Sequence, residues 1–185
     1  MTNIIIIHGT GGNPNGNWFP WLKSELEKSD CKVFVPKFPS PENQSLQNWL
    51  EVFKDYEQYL NKDSIVVGYS LGPAFLLSVL ENLNHPIKAA FFVAGFTELL
   101  DNLEFDELNK TFVLKNFDWT KVKNNCNKFY VINSENDPYV PLEKGQTLAD
   151  NLNTELIILK NAGHMNEEAG YTEFSFLLDK IKKEL

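Results

Sequence analysis

The chain has 185 residues, 43% of them apolar and 13% aromatic, which suits a single domain over residues 1–185 with a sizeable buried core. A formal net charge of −8 and a pI near 4.9 leave no basic patch to neutralise phosphates, so nucleic acid is excluded as a partner. Apolar runs such as Ile4–Ile7 and Ala89–Ala94 fall far short of the ~20 residues that cross a bilayer, so no membrane association is expected.

The opening "MTNIIIIHG" carries neither a basic n-region nor a small-residue cleavage site, which points to a cytoplasmic chain. Its β-branched run is the first expected strand, stopped at Gly9. "NWFPWLKSELEKS" then places Trp18, Trp21, Leu22 and Leu26 three and four residues apart, the spacing of a helix with one buried face. "CKVFVPKF" reads as a second strand ended by Pro36 and Pro39, and "SLQNWLEVFKDYEQYL" as a second amphipathic helix. "DSIVVG" is the third strand, with "AFLLSVLENL" the third helix and "IKAAFFVAG" the fourth strand. Phe96–Asp118 breaks the rhythm, being long, polar and aromatic by turns. It reads either as a substrate-covering lid at a strand's carboxyl edge, where such sheets bind ligands, or as an ordinary surface helix with irregular flanks. "KFYVINS", the helical "LEKGQTLADNL", "TELIILK" and the closing helix "EFSFLLDKIKKEL" complete the chain.

Strands apolar on nearly every residue are buried on both faces, as in a parallel sheet covered by helices. The expected fold class is therefore α/β: a doubly wound, mostly parallel six-stranded sheet between helices. Cys31 and Cys126 lie far apart, outside any metal-ligand spacing, and read as free buried thiols.

Chemistry is concentrated in "IVVGYSLGPAFLL". Gly68, Tyr69, Ser70, Leu71 and Gly72 fit G-x-S-x-G between an expected strand, Ser64–Val67, and an expected helix, Leu71–Leu83. In such an elbow the serine sits on a strained strand-to-helix turn, and the glycines let strand and helix approach. A helix-capping serine shares the local signature, so the remaining partners decide. A serine hydroxyl needs a base, and elbow hydrolases order their triad Ser, acid, His. Of the three histidines, His8 precedes Ser70, and His85 stands beside a proline beyond the third helix, about four helical turns from the serine. His164, in the glycine-led loop after the sixth strand, is the candidate base. The acid should end the strand between them. Asp137, in "NDPYVP", is favoured over its neighbour Glu135, while Asp101 and Asp106 read as surface charge. Thr10, in the "HGTGG" loop after the first strand, and Leu71 are the expected backbone donors of an oxyanion hole, with His8 helping to orient that loop. The loop matches neither G-x-x-x-x-G-K-[ST] nor G-x-G-x-x-G, so no phosphate or dinucleotide site is expected. No metal or other cofactor motif is present.

With "GNWFPWLKSELEK", "IVVGYSLGPA", "FDWTKVKNNC", "NDPYVP" and "AGHMNEEAG" in this order, the chain resembles the small, lid-poor serine hydrolases that include the retinoblastoma-binding-protein-like and YdeN-like α/β-hydrolases, over essentially its full length. The resemblance implies a single α/β-hydrolase domain without a large cap. It also implies a nucleophile, acid and base at Ser70, Asp137 and His164. Tyr69 stands where relatives usually carry histidine, which alters the pocket wall. The expected function is hydrolysis of small ester or amide bonds, carboxylesterase-like or aminopeptidase-like, through an acyl-enzyme on Ser70. The expected substrate is a small molecule or short peptide, and any protein partner is left open. The other class is a binding module on a hydrolase scaffold with an idle triad. Aromatics expected near the rim are Trp18, Phe19, Phe96, Phe117, Trp119 and Tyr139.

Overall fold

The computed structural model describes residues 2–185. Six strands, β1 (Thr2–Ile7), β2 (Cys31–Phe34), β3 (Ile65–Tyr69), β4 (Ala89–Val93), β5 (Phe129–Ser134) and β6 (Leu156–Leu159), form one sheet in the order β2-β1-β3-β4-β5-β6. All five pairings are parallel, so the expected "mostly parallel" sheet is parallel throughout. The helices are α1 (Phe19–Glu27), α2 (Leu46–Glu57), α3 (Gly72–Leu80), α4 (Leu103–Val113), α5 (Trp119–Asn124), α6 (Leu142–Leu152) and α7 (Ser175–Lys182), with one short 3₁₀ turn at Glu167–Ala169.

Because side chains alternate across a strand, the apolar runs feed two cores at once. Ile5, Ile7, Val66, Ala90, Phe92 and Val131 pack under Trp49, Phe53, Phe75 and Phe112 on one face. Ile4, Ile6, Val67, Phe91, Val93 and Ile132 pack under Phe19, Leu22, Leu177 and Ile181 on the other. Thus α1 and α7 cover one side, while α2 and α3 lie on the opposite one. β6 departs from the fully buried pattern. It is an edge strand, and its Ile158 is exposed.

Strand order reverses between β1, which is followed in the chain by β2 on one side, and β3 on its other side. This reversal opens a crevice beyond the carboxyl ends of β1 and β3, where "HGTGG" and Ser70 emerge. The segment after β4 is a helix with irregular flanks, and α5, a six-residue helix with Val122 as its one buried residue, follows it. Among the described residues no helix is long and apolar enough to cross a membrane, and both cysteines are free and buried.

Phe75 is fully enclosed, with ring centroids 5.2 Å from Phe38, 5.4 Å from Trp49 and 5.4 Å from Phe53. Truncating it leaves a hole those rings cannot close. Phe75→Ala is expected to cost about 3–5 kcal/mol, measured as a lowered midpoint with unchanged slope in urea unfolding.

Candidate active site

Ser70 closes the elbow between β3 and α3 with φ +57°, in the left-handed region that an L-residue occupies only when its surroundings enforce it. What enforces it is contact. A Cβ on Gly68 would lie 2.7 Å from Pro73 N, and one on Gly72 would lie 2.7 Å from the Ile7 carbonyl oxygen. Bare backbone at both positions lets α3 start directly against β3 and β1. Gly9 is equally crowded: its Cβ would stand 2.6 Å from Ser70 Cβ, so the loop after β1 lies on the serine itself.

His164 Nε2 is 3.2 Å from Ser70 Oγ, and His164 Nδ1 is 2.7 Å from Asp137 Oδ2. The Asp137 side chain is fully enclosed. Its other oxygen accepts from the backbone N–H groups of Tyr139 at 2.9 Å and Val140 at 3.0 Å, which fixes the carboxylate in the turn after β5. Glu135, its rival, is exposed. Two further bonds clamp the histidine loop to the acid's loop: Ala162 N–H donates to Ser134 Oγ and Gly163 N–H to Asn136 Oδ1. The side chains of Ser70, Asp137 and His164, from the ends of β3, β5 and β6, therefore meet in one hydrogen-bonded line.

Tyr69 does more than line a wall. Its hydroxyl donates to the His164 carbonyl at 3.0 Å, and its ring packs 5.1 Å from the imidazole. Burial pushes its phenol far above the ordinary range, so it stays protonated and keeps that bond. Trp18 Nε1 likewise donates to the Met165 carbonyl at 2.9 Å. Trp18 therefore supports the loop from beneath instead of reaching the rim.

The loop after β1 is held by His8. The imidazole is buried, with Nδ1 2.8 Å from the Gly9 carbonyl and Nε2 accepting from Phe38 N–H at 3.1 Å. The two partners specify the neutral, Nδ1-protonated tautomer. Gly12 N–H also donates to the Gly9 carbonyl, at 3.1 Å. A trans peptide directs its C=O and N–H in opposite directions, so pinning the Gly9 oxygen aims the Thr10 N–H the other way. Among the described residues neither the Thr10 nor the Leu71 N–H has a protein acceptor.

Gly9, Thr10, Tyr69, Ser70 and His164 line one cavity of about 410 Å³. Phe96, Leu100, Phe105 and Val140 give it an apolar side, while Asn13, Asn17, Asn166, Glu167 and Glu168 give it a polar one. Residues 96–118 thus wall the cavity through the turn before α4 and α4 itself. Asp106, expected to be surface charge, accepts from the N–H groups of Leu100 at 2.7 Å and Asn102 at 3.1 Å and so shapes that turn. Of the expected rim aromatics, Phe19, Phe96 and Tyr139 line the cavity, whereas Phe117 and Trp119 line a separate groove. Asn109 also lines it. A lone polar residue on a helix gives no sequence signal for such a position.

Residues 4–183 match the model of the serine hydrolase family. The chain belongs to that family. This serine hydrolase is 29% identical over 181 residues to YdeN of Bacillus subtilis (strain 168), covering 96% of this chain and 93% of that protein. It is 26% identical over 187 residues to the serine hydrolase RBBP9 of Rattus norvegicus, covering 100% and 96%. The crystal structure of the ydeN gene product from B. subtilis superposes with a TM-score of 0.93 at 26% identity, covering 100% of this chain and 98% of that one.

Burial lowers the His8 pKa below its ordinary 6.5. As pH falls through that value the unfolded chain takes up a proton that the folded one resists, so stability falls with pH, by up to about 1.4 kcal/mol per unit. The advantage of this serine hydrolase over its His8→Gln variant in unfolding free energy should therefore shrink between pH 7 and pH 5, measured by urea titration at each pH.

Proposed function

We propose that this serine hydrolase cleaves small ester or amide bonds by acyl transfer to water. In this reading Ser70 Oγ attacks the substrate carbonyl while His164 Nε2 takes its proton. Asp137 holds the Nδ1–H and stabilises the imidazolium. The N–H groups of Thr10 and Leu71 donate to the tetrahedral oxyanion. The imidazolium then passes its proton to the departing alcohol or amine. Water, deprotonated by the same histidine, attacks the acyl-enzyme, and the acid product leaves with Ser70 Oγ reprotonated. The observation that carries the reading is the continuous line from Asp137 Oδ2 through His164 to Ser70 Oγ, at 2.7 and 3.2 Å. The hydrolase relatives do not favour the alternative of an idle triad on a binding module.

A cavity of about 410 Å³ suits a small molecule or the end of a short peptide. Carboxylesterase-like and aminopeptidase-like chemistry use the same attack and differ only in the leaving group. Two free buried thiols fit a reducing, cytoplasmic compartment, and a formal charge of −8 argues against nucleic acid.

Turnover of p-nitrophenyl butanoate and of an aminoacyl p-nitroanilide separates the two leaving-group classes. Ser70→Ala should abolish both turnover and fluorophosphonate labelling while leaving the urea midpoint in place. Asp137→Asn should lower kcat by about 10⁴-fold. Undiminished labelling of Ser70→Ala would refute the assignment.

A further inference from the structure

One polar network runs from the loop after β1 to the cavity wall, and every bond in it has a direction. It begins at the backbone N–H of Gly11, which donates to Ser40 Oγ at 2.6 Å. Ser40 passes its own hydrogen to Gln44 Oε1. The Gln44 amide nitrogen donates to Thr10 Oγ1 at 3.1 Å, to the Leu108 carbonyl at 3.1 Å and to Asn109 Oδ1 at 3.0 Å. Thr10 Oγ1 in turn donates to Asn109 Oδ1 at 2.6 Å.

Two donors converging on one atom of Asn109 settle which end of its amide is oxygen. Turned over, its NH₂ would face the Gln44 NH₂, donor against donor. The Asn109 NH₂ must therefore point away from the network. It has no protein acceptor among the described residues, although Asn109 is only 2% exposed. The one enclosed side-chain polar atom without a partner among those residues is Asn133 Oδ1. Asn109 Nδ2 is thus open to the cavity that Asn109 lines. A buried amide locked by its oxygen, in a residue that lines a cavity beside Phe96, Leu100 and Phe105, is a donor awaiting an acceptor.

We infer that Asn109 is a specificity-determining residue whose NH₂ donates to an oxygen acceptor in the acyl group of the substrate. This rests on the serine-hydrolase reading of Ser70. The favoured acyl group has an apolar body against Phe96, Leu100 and Phe105 and an ether, hydroxyl or carbonyl oxygen within reach of the amide. An all-carbon acyl group leaves the NH₂ unpaired, the kind of mismatch by which sites built for a hydrogen bond discriminate most strongly.

The test compares p-nitrophenyl pentanoate with its two chain-length-matched oxygen analogues, p-nitrophenyl ethoxyacetate and p-nitrophenyl 3-methoxypropanoate. The ratio of kcat/KM for each analogue to that for pentanoate is read in the wild type and in Asn109→Asp. Intrinsic ester reactivity cancels between the two proteins. Ionised Asp keeps an oxygen for Thr10 and Gln44, so the network survives, and it sets an acceptor in place of the outward donor; the ratios are read at pH 8, where the carboxylate form is favoured. For at least one analogue the ratio is expected to fall about tenfold in Asn109→Asp. If this variant does not fold, the same ratios are read on Asn109→Ser. Ratios within twofold of wild type for both analogues overturn the assignment of Asn109, and turnover lost in Ser70→Ala shows in that case that the hydrolase reading stands. If the wild type turns over none of the three esters, the assignment of Asn109 falls, and fluorophosphonate labelling lost in Ser70→Ala shows separately that the hydrolase reading stands.

Discussion

Ser70 occupies a backbone conformation that an L-amino acid avoids, and the rest of the site is arranged around keeping it there. Left-handed φ at a non-glycine residue costs on the order of 1–3 kcal/mol, small beside the burial of β3 and α3 on either side. Every side chain of α3 is buried, as is every residue of β3. Neither element can rotate to relax the turn between them without exposing core. Gly68 and Gly72 remove the collisions that would otherwise push strand and helix apart. The strain at Ser70 is held by packing on both sides of the sheet.

The other groups of the site reach Ser70 by a different physical route. Asp137, His164 and Thr10 sit on turns after β5, β6 and β1, and hydrogen bonds to backbone position these turns more than apolar contact does. The Gly9 carbonyl is pinned by His8 and Gly12, the His164 carbonyl by Tyr69, and the Met165 carbonyl by Trp18. Buried aromatic and imidazole side chains thus serve a second purpose. Each fills the core with its ring and commits a ring or hydroxyl hydrogen to a loop carbonyl. Preorganised donors of this kind lower a barrier because they need not rearrange as charge develops.

Strands and the elbow were legible in the residues because burial on both faces writes itself as unbroken apolar runs, and because the bends at Gly68 and Gly72 admit little but glycine. The 142–152 helix was legible to its end residues. Ser70, Asp137 and His164 could be ordered along the chain, since each follows a strand and such loops share one edge of a parallel sheet. Strand order was not legible, because no side chain of β1 distinguishes β2 from β3 as a neighbour. Nor was α5, whose single buried residue, Val122, leaves no periodic face. Trp18, Phe117 and Trp119 read as rim and are not, since an aromatic ring gives the same sequence signal in core, groove or cavity. Gln44 and Asn109, far apart in the chain, look like solvated helix-flank residues. Only their convergence on Thr10 gives them meaning.

The sheet is parallel from edge to edge, and its order places the contributors to the site at both ends of the chain. The loop bearing Thr10 follows the first strand, and the loop bearing His164 follows the last. In the proposed mechanism, a polypeptide emerging from the ribosome therefore carries its serine as an inert alcohol until the final strand has docked and brought His164 to accept the hydroxyl proton. β6, the least buried strand and an edge of the sheet, is then the natural place for local opening. Each such excursion would silence the hydroxyl without unfolding the core around it.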